Sequence, residues 1–253
     1  MTGRRFWQVF GLLADRLVLA VLALVLLLYG MPLLKPFFAA LYPTLDRPMY
    51  EGDGFAALAA DHMALVGLSS LAAAAAGVLA GLAVTRPWGA EFRGLVEALA
   101  TAGQTFPPVA VLAVAVPAVG FGAAPALIAL TLYAVLPIVQ NTIAGLEGVP
   151  APVLESARGM GMRPAAILLR VELPLAAPVI LAGLRTAVAI NVGTAAIAST
   201  VGAKTLGLPI IVGLNGANPA YVIQGALVVA ALAVVVDLGF DRLALLLSRW
   251  QRA

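Results

Sequence analysis

The chain has 253 residues, 62% of them hydrophobic and 11% charged, with a mean hydropathy of +1.04. No water-soluble fold needs that much apolar surface, so composition points to a polytopic helical membrane protein. The absence of cysteine and the single histidine exclude disulfides, thiolate chemistry and multi-histidine metal sites, and the basic residues are too dispersed among apolar blocks to form a nucleic-acid footprint.

The first apolar run covers 17–34, preceded by Arg4, Arg5 and Arg16. At helical rise its 18 residues span about 27 Å, enough to cross the hydrocarbon core. A cleaved signal peptide would need small residues at its processing site. Lys35-Pro36-Phe37-Phe38 follows instead, so an uncleaved anchor is expected. Residues 35–61 carry Pro36, Pro43, Pro48, Asp46, Glu51, Asp53 and Asp61 and read as an extramembrane connector with a short amphipathic piece. A second span is predicted over 62–84. Its Gly77 and Gly81 have the small-xxx-small spacing that lets helix backbones approach. His62 at its start reads as structural.

A third span over 94–117 is interrupted by Gln104-Thr105-Phe106-Pro107-Pro108. Two prolines remove two backbone donors, so a kink or break is expected there. Broken backbone at membrane depth lines a cavity or is buried in protein. That makes Gln104, Phe106 and Pro107 candidates for a translocation pathway. The fourth span is predicted over 124–144. Asn141 near its end joins the same candidate set, as do Asn191 and Thr194 of a fifth span over 175–199. Interhelical hydrogen bonding is the competing role for each. Arg185 inside the fifth span would snorkel to an interface or pair with Asp237. Residues 200–219 form a glycine-rich connector whose stretch 208–214 is apolar enough to re-enter or lie at the interface. The sixth span is predicted over 221–245.

Charge gives the topology. With the N-terminus inside, Arg4, Arg5, Arg16, Arg86, Arg93, Arg158, Arg163, Arg170, Arg242, Arg249 and Arg252 all fall on the cytoplasmic side, against Lys35, Arg47 and Lys204 outside. That asymmetry follows the positive-inside rule. Six spans with both termini cytoplasmic result, and the polar interruption at 145–173 lies inside.

That interruption contains Pro150 and Pro152, suited to a helix entry, and then Glu155-Ser156-Ala157. Three residues lead to Gly161, nine more to Val171-Glu172-Leu173-Pro174. The stretch resembles the cytoplasmic signature of permease subunits in ATP-driven, binding-protein-dependent importers, with Ser156 in place of an alanine and Val171 in place of an isoleucine. Thr105-Phe106-Pro107-Pro108, Leu136-Pro137-Ile138-Val139-Gln140-Asn141-Thr142 and Ile190-Asn191-Val192-Gly193-Thr194-Ala195 resemble the osmoprotectant branch. That branch carries quaternary ammonium solutes such as glycine betaine, choline or carnitine. Phe106-Pro107-Pro108 and Lys204-Thr205 depart from the branch's usual Ile-Pro-Ser and glycine pair.

The resemblance implies an all-α integral membrane protein with the type I ABC importer permease fold. It divides the chain into an anchor and external connector (1–61), a permease domain (62–241) and a cytoplasmic tail (242–253). It implies two ATP-binding subunits, a second identical or similar permease, and an external solute-binding protein. It assigns ATPase coupling to Glu155, Ser156, Ala157, Arg158, Gly161, Leu173 and Pro174. No nucleotide site is expected in this chain. A phosphate loop needs Gly-Lys-Ser/Thr, and Lys35 and Lys204 follow Leu34 and Ala203. ATP and Mg would therefore be bound by the partner subunit, and this chain is a transporter subunit rather than an enzyme. Permeases for amino acids or other small solutes are the alternative within the class. An ion-coupled carrier would want intramembrane carboxylates, and Asp237 alone qualifies. A serine hydrolase would want a serine elbow, which His62, Ser69 and Ser70 do not supply.

Overall fold

The computed structural model describes residues 15–248, and every regular element among them is helical. Arg4, Arg5, Arg249 and Arg252 lie outside the described residues. Helix α1 runs Arg16–Leu41. Asp15 caps it, its Oδ1 accepting from Leu17 N–H at 3.1 Å. The expected stop at Lys35 does not occur. Pro32 enters a 3-10 turn at Met31–Leu34, and Pro36 falls in the first turn of the helical stretch that follows. Proline lacks only a donor that a first turn would leave unpaired, so the two prolines reset the helix instead of ending it.

Helix α2, Phe55–Val84, also starts earlier than the expected 62. The connector thus shrinks to 42–54. Asp61 is exposed on α2, while His62 is buried and fully bonded, so neither polar residue marks a helix boundary. The third span is broken into α3, Arg93–Thr105, and α4, Pro108–Val119, bent by 94°. Phe106 and Pro107 are extended, with ψ of 133° and 131°, as a residue preceding proline prefers. The break expected at 104–108 is therefore a sharp corner between two short helices. Counted with that pair, the apolar helices long enough to cross a membrane number six among the described residues.

Helix α5, Ala123–Glu147, is the centre of the bundle, packed along α2 and along α7, Pro164–Val201. Small residues permit this. A Cβ on Gly77 would stand 2.8 Å from Ile138, and one on Gly81 2.7 Å from Thr142. On the other flank, a Cβ on Gly183 would stand 2.7 Å from Pro137 O. Between α5 and α7 lies α6, Ala151–Gly159. The fifth span was expected to start after Pro174. Instead α7 is helical from Pro164, because a π turn at Leu168–Glu172 closes with Leu173 N–H bonded to Leu168 O. That wider turn absorbs a proline that would otherwise interrupt the ladder. The apolar stretch of the 200–219 connector forms α8, Leu208–Asn215, which packs on the start of α9, Pro219–Ser248.

Ion pairs place the ends. Arg86 beyond α2 meets Glu172 at the base of α7, Arg93 meets Glu147 near α6, and Arg242 of α9 meets Asp15. At the opposite end, Lys204 meets Asp53 and Lys35 meets Glu51.

Candidate docking loop and translocation site

The polar loop builds a rigid, two-faced helix. Pro150 leads into α6 with extended backbone, and Val153 N–H bonds to Pro150 O at 3.0 Å. Ser156 Oγ donates to Pro152 O one turn back at 2.8 Å. The far end closes as a Schellman motif: Gly161 N–H to Arg158 O at 2.9 Å and Met162 N–H to Ala157 O at 3.2 Å, with Gly161 at φ +74°. Only glycine takes that conformation without a Cβ penalty.

The predicted docking residues divide between the two faces. Glu155, Ser156 and Arg158 are exposed, beside Val153 at 40% and Met160 at 74% exposure. Ala157 is only 2% exposed. It lies on the face turned to the chain itself, where α6 packs on the Pro164–Ile167 turn. Its small side chain seats α6 on that turn, and the exposed apolar side chains of the loop are Val153 and Met160. Leu173 is half-buried against the cluster of Leu146, Ala176 and Ile180, and Pro174 is exposed on α7.

Two charged joints that sequence reading did not pair fix this loop to the bundle. Arg86 Nη2 lies 2.7 Å from Glu172 Oε2, with side chains 25% and 11% exposed. Arg93 bridges Glu97 at 3.0 Å and Glu147. Oppositely charged residues at the ends of spans that become neighbours were the available signal.

The pathway candidates do not converge. Phe106 is 60% exposed and lines an apolar groove of about 460 Å³ with Gly103, Ala110, Val114, Ile128 and Leu132. Pro107 is exposed at the same corner and Gln104 is half-buried. Tyr133 Oη holds the corner by donating to Phe106 O. Thr194 sits deeper, with Pro108 and Leu130 around a small gap. Asn141 Nδ2 donates to Pro137 O of its own helix at 2.8 Å. Asn191 is fully buried, its Nδ2 bonded to Ser69 and Ser70 Oγ at 3.1 and 3.0 Å. It joins α7 to α2. His62 does the same: Nδ1 accepts from Leu206 N–H, which leaves Nε2 to carry the proton and donate to Val192 O at 3.0 Å. Arg185 grips Asp237 in a bidentate pair at 2.6 and 2.7 Å and also meets Asp241. The neighbouring carboxylates, rather than snorkelling alone, account for its place in α7.

Residues 73–252 match the family described as binding-protein-dependent transport system inner membrane component. The chain belongs to that family. It is 43% identical over 176 residues to the osmoprotectant import permease protein OsmY of Salmonella typhimurium, covering 70% of this chain and 75% of that one. It is 38% identical over 207 residues to OsmW, an osmoprotectant import permease protein of the same organism, covering 79% and 95%. With the choline transport system permease protein OpuBB of Bacillus subtilis it shares 49% identity over 134 residues, 53% of this chain and 62% of that one, so it matches less than two thirds of that relative's length. An inward-facing structure of the MetNI methionine ABC transporter superposes with a TM-score of 0.66 at 24% identity, over 74% of this chain and 93% of that one. That likeness shows the fold. As a binding-protein-dependent permease, the chain is a multi-pass protein of the cytoplasmic membrane, and ATP hydrolysis belongs to a separate subunit of its importer.

Proposed function

We propose that this permease passes a quaternary ammonium osmoprotectant, such as glycine betaine or choline, across the membrane. The observation that carries this reading is the run of relatives named for osmoprotectant and choline transport at 38–49% identity. In this reading the α6 end of the bundle is cytoplasmic, which the arginine asymmetry supports. The permease domain over 62–241 is framed by an anchor and external connector before it and a cytoplasmic tail after it.

A short helix with an exposed apolar ridge and charges at its rim suits a groove in a partner. Val153 and Met160 of α6 enter a cleft on one protomer of an ATP-binding dimer, with Glu155 and Arg158 at the edge. Gly161 sets the exit angle, while Leu173 and Pro174 pass the displacement into α7. A second permease, identical or similar, covers the apolar groove at Phe106, and the corner at Gln104–Pro107 then borders the pathway between them. Thr194 stands behind that corner, and Asn141 and Asn191 hold the helices that form its wall. An external binding protein delivers the solute at the opposite end.

The test is uptake in cells stripped of their own osmoprotectant importers. Radiolabelled choline and glycine betaine are supplied to cells carrying the chain with its partner subunits. Osmotically useful uptake, competed by quaternary ammonium solutes and not by methionine, is expected. Uptake of an amino acid without either ammonium solute would overturn the assignment.

A further inference from the structure

Residues 28–56 lie outside the family match at 73–252, yet they are built firmly onto the bundle. Gln224 of α9 is fully buried, its Nε2 donating to Pro48 O at 2.7 Å and its Oε1 accepting from Tyr50 N–H at 3.1 Å. Asn218 Nδ2 donates to Arg47 O at 2.9 Å. These bonds fix the backbone of the 42–54 loop. The Tyr50 ring packs edge-on to Phe55 and Tyr221, with centroids 5.9 and 5.6 Å apart. Its hydroxyl lies over Gly52, where a Cβ would stand 2.5 Å away. Between this loop and the end of α1 is a cavity of about 420 Å³. Tyr50, Lys35, Glu51 and Asp53 line its polar side, and Tyr29 and Pro32 belong to its apolar wall.

We infer that this cavity holds an ammonium zwitterion, with the cation against Tyr50 and the Glu51 and Asp53 carboxylates and the anion on Lys35. Lys35 pairs with Glu51 and Lys204 pairs with Asp53, so both signs of charge stand side by side at the cavity, which suits a zwitterion rather than a lone ion. A partly desolvated tyrosine ring adds cation–π attraction that tolerates methylated ammonium. Lys35 and Glu51 already face each other at 3.6 Å, with side chains 61% and 69% exposed. Such an exposed pair is weak, so a molecule carrying both charges separates it at little cost and satisfies each end. The apolar wall on α1 then accommodates methyl groups or the start of an acyl chain. Two sources share this chemistry: a free betaine and the headgroup of a phospholipid such as phosphatidylethanolamine. The first rests on the osmoprotectant reading above, and the second does not.

The complex of this chain with its ATPase is reconstituted in phosphatidylglycerol nanodiscs without the binding protein. In one arm radiolabelled glycine betaine is titrated. In the other, phosphatidylethanolamine is added to the lipid and its retention is counted by native mass spectrometry. One probe is expected to saturate a single site. Its binding should weaken about tenfold in Glu51→Gln/Asp53→Asn, and again in Lys35→Gln, for loss of one charge-assisted contact. Tyr50→Phe keeps the ring and retains binding. All three charged side chains are exposed, so these variants keep the fold. Saturation by betaine identifies a solute site and saturation by phosphatidylethanolamine a lipid site. No saturable binding in either arm, or binding indifferent to the substitutions, overturns the inference. Because the readout is binding and not uptake, a failed transport assay leaves this result interpretable on its own.

Discussion

The ion pair between Arg86 and Glu172 joins the end of α2 to the π turn at the base of α7. Its two halves differ in exposure, 25% for Arg86 and 11% for Glu172, and that difference makes an asymmetric prediction. Removing one partner of a buried pair costs about 3–5 kcal/mol, because the other charge is stranded away from water. Arg86→Gln strands the more buried carboxylate and should approach the lower end of that range. Glu172→Gln strands a guanidinium on a long stem that can bend toward water, so about 1–2 kcal/mol is expected, nearer the value for exposed pairs. The double variant Arg86→Gln/Glu172→Gln leaves no charge stranded and should regain most of the larger loss. Thermal unfolding of the four proteins in one nanodisc composition gives the coupling energy of the cycle. Solute imported per ATP hydrolysed, measured on the same samples, shows whether the joint also transmits α6 motion to the spans. Equal single losses that simply add in the double variant would refute the argument.

Gly161→Val should fray the end of α6, since the left-handed conformation costs a residue with a Cβ about 1–2 kcal/mol. Co-purification of the ATPase and uptake fall while membrane insertion is kept, and normal values for both would remove Gly161 from docking. Gly81→Leu places side-chain atoms where a Cβ alone would already stand 2.7 Å from Thr142, so the chain should fail to accumulate in the membrane, which immunoblotting of membrane fractions checks. Arg185→Met leaves the carboxylates of Asp237 and Asp241 without their shared cation and should destabilise more than Asp237→Asn, read as a larger fall in unfolding temperature. Topology is tested with cysteines, which the native chain lacks: an impermeant thiol reagent added to intact cells should label Glu51→Cys and spare Ala165→Cys, and labelling of the second would reverse the orientation.

The helical class and the corner at Phe106-Pro107-Pro108 were legible because each follows from a local rule. Long apolar runs have one stable form in a bilayer, and consecutive prolines forbid a continuous ladder. The glycine pair at Gly77 and Gly81 was legible as a packing face, although only the structure shows that α5 is what fills it. The boundaries at Lys35 and 62 were misread for one reason: proline and charge were treated as stops. Pro32 and Pro36 fall where a turn begins anyway, and His62 finds two backbone partners on other elements. A partner from 130 residues away leaves no trace in a window of sequence.

The same limit governs the docking loop. Its helix, its glycine stop and its exposed charges could be read from spacing, because a Schellman closure involves only neighbours in the chain. Which face of α6 is free could not. Ala157 lies in the short helix and Met160 caps its end, both apolar, yet one is buried and the other is 74% exposed. What separates them is the Pro164–Ile167 turn packed beneath α6, the first turn of the helix that continues through the π turn past Pro174 without a break. The loop is thus continuous with a helix that crosses the bundle from Pro164 to Val201 and contacts α5 for much of its length. In the docking role proposed above, a displacement of α6 acts on one end of that rod, the end that Glu172 ties to Arg86 beyond α2, and the close contacts of Gly81 and Gly183 with α5 are where such a movement would be felt by the rest of the bundle.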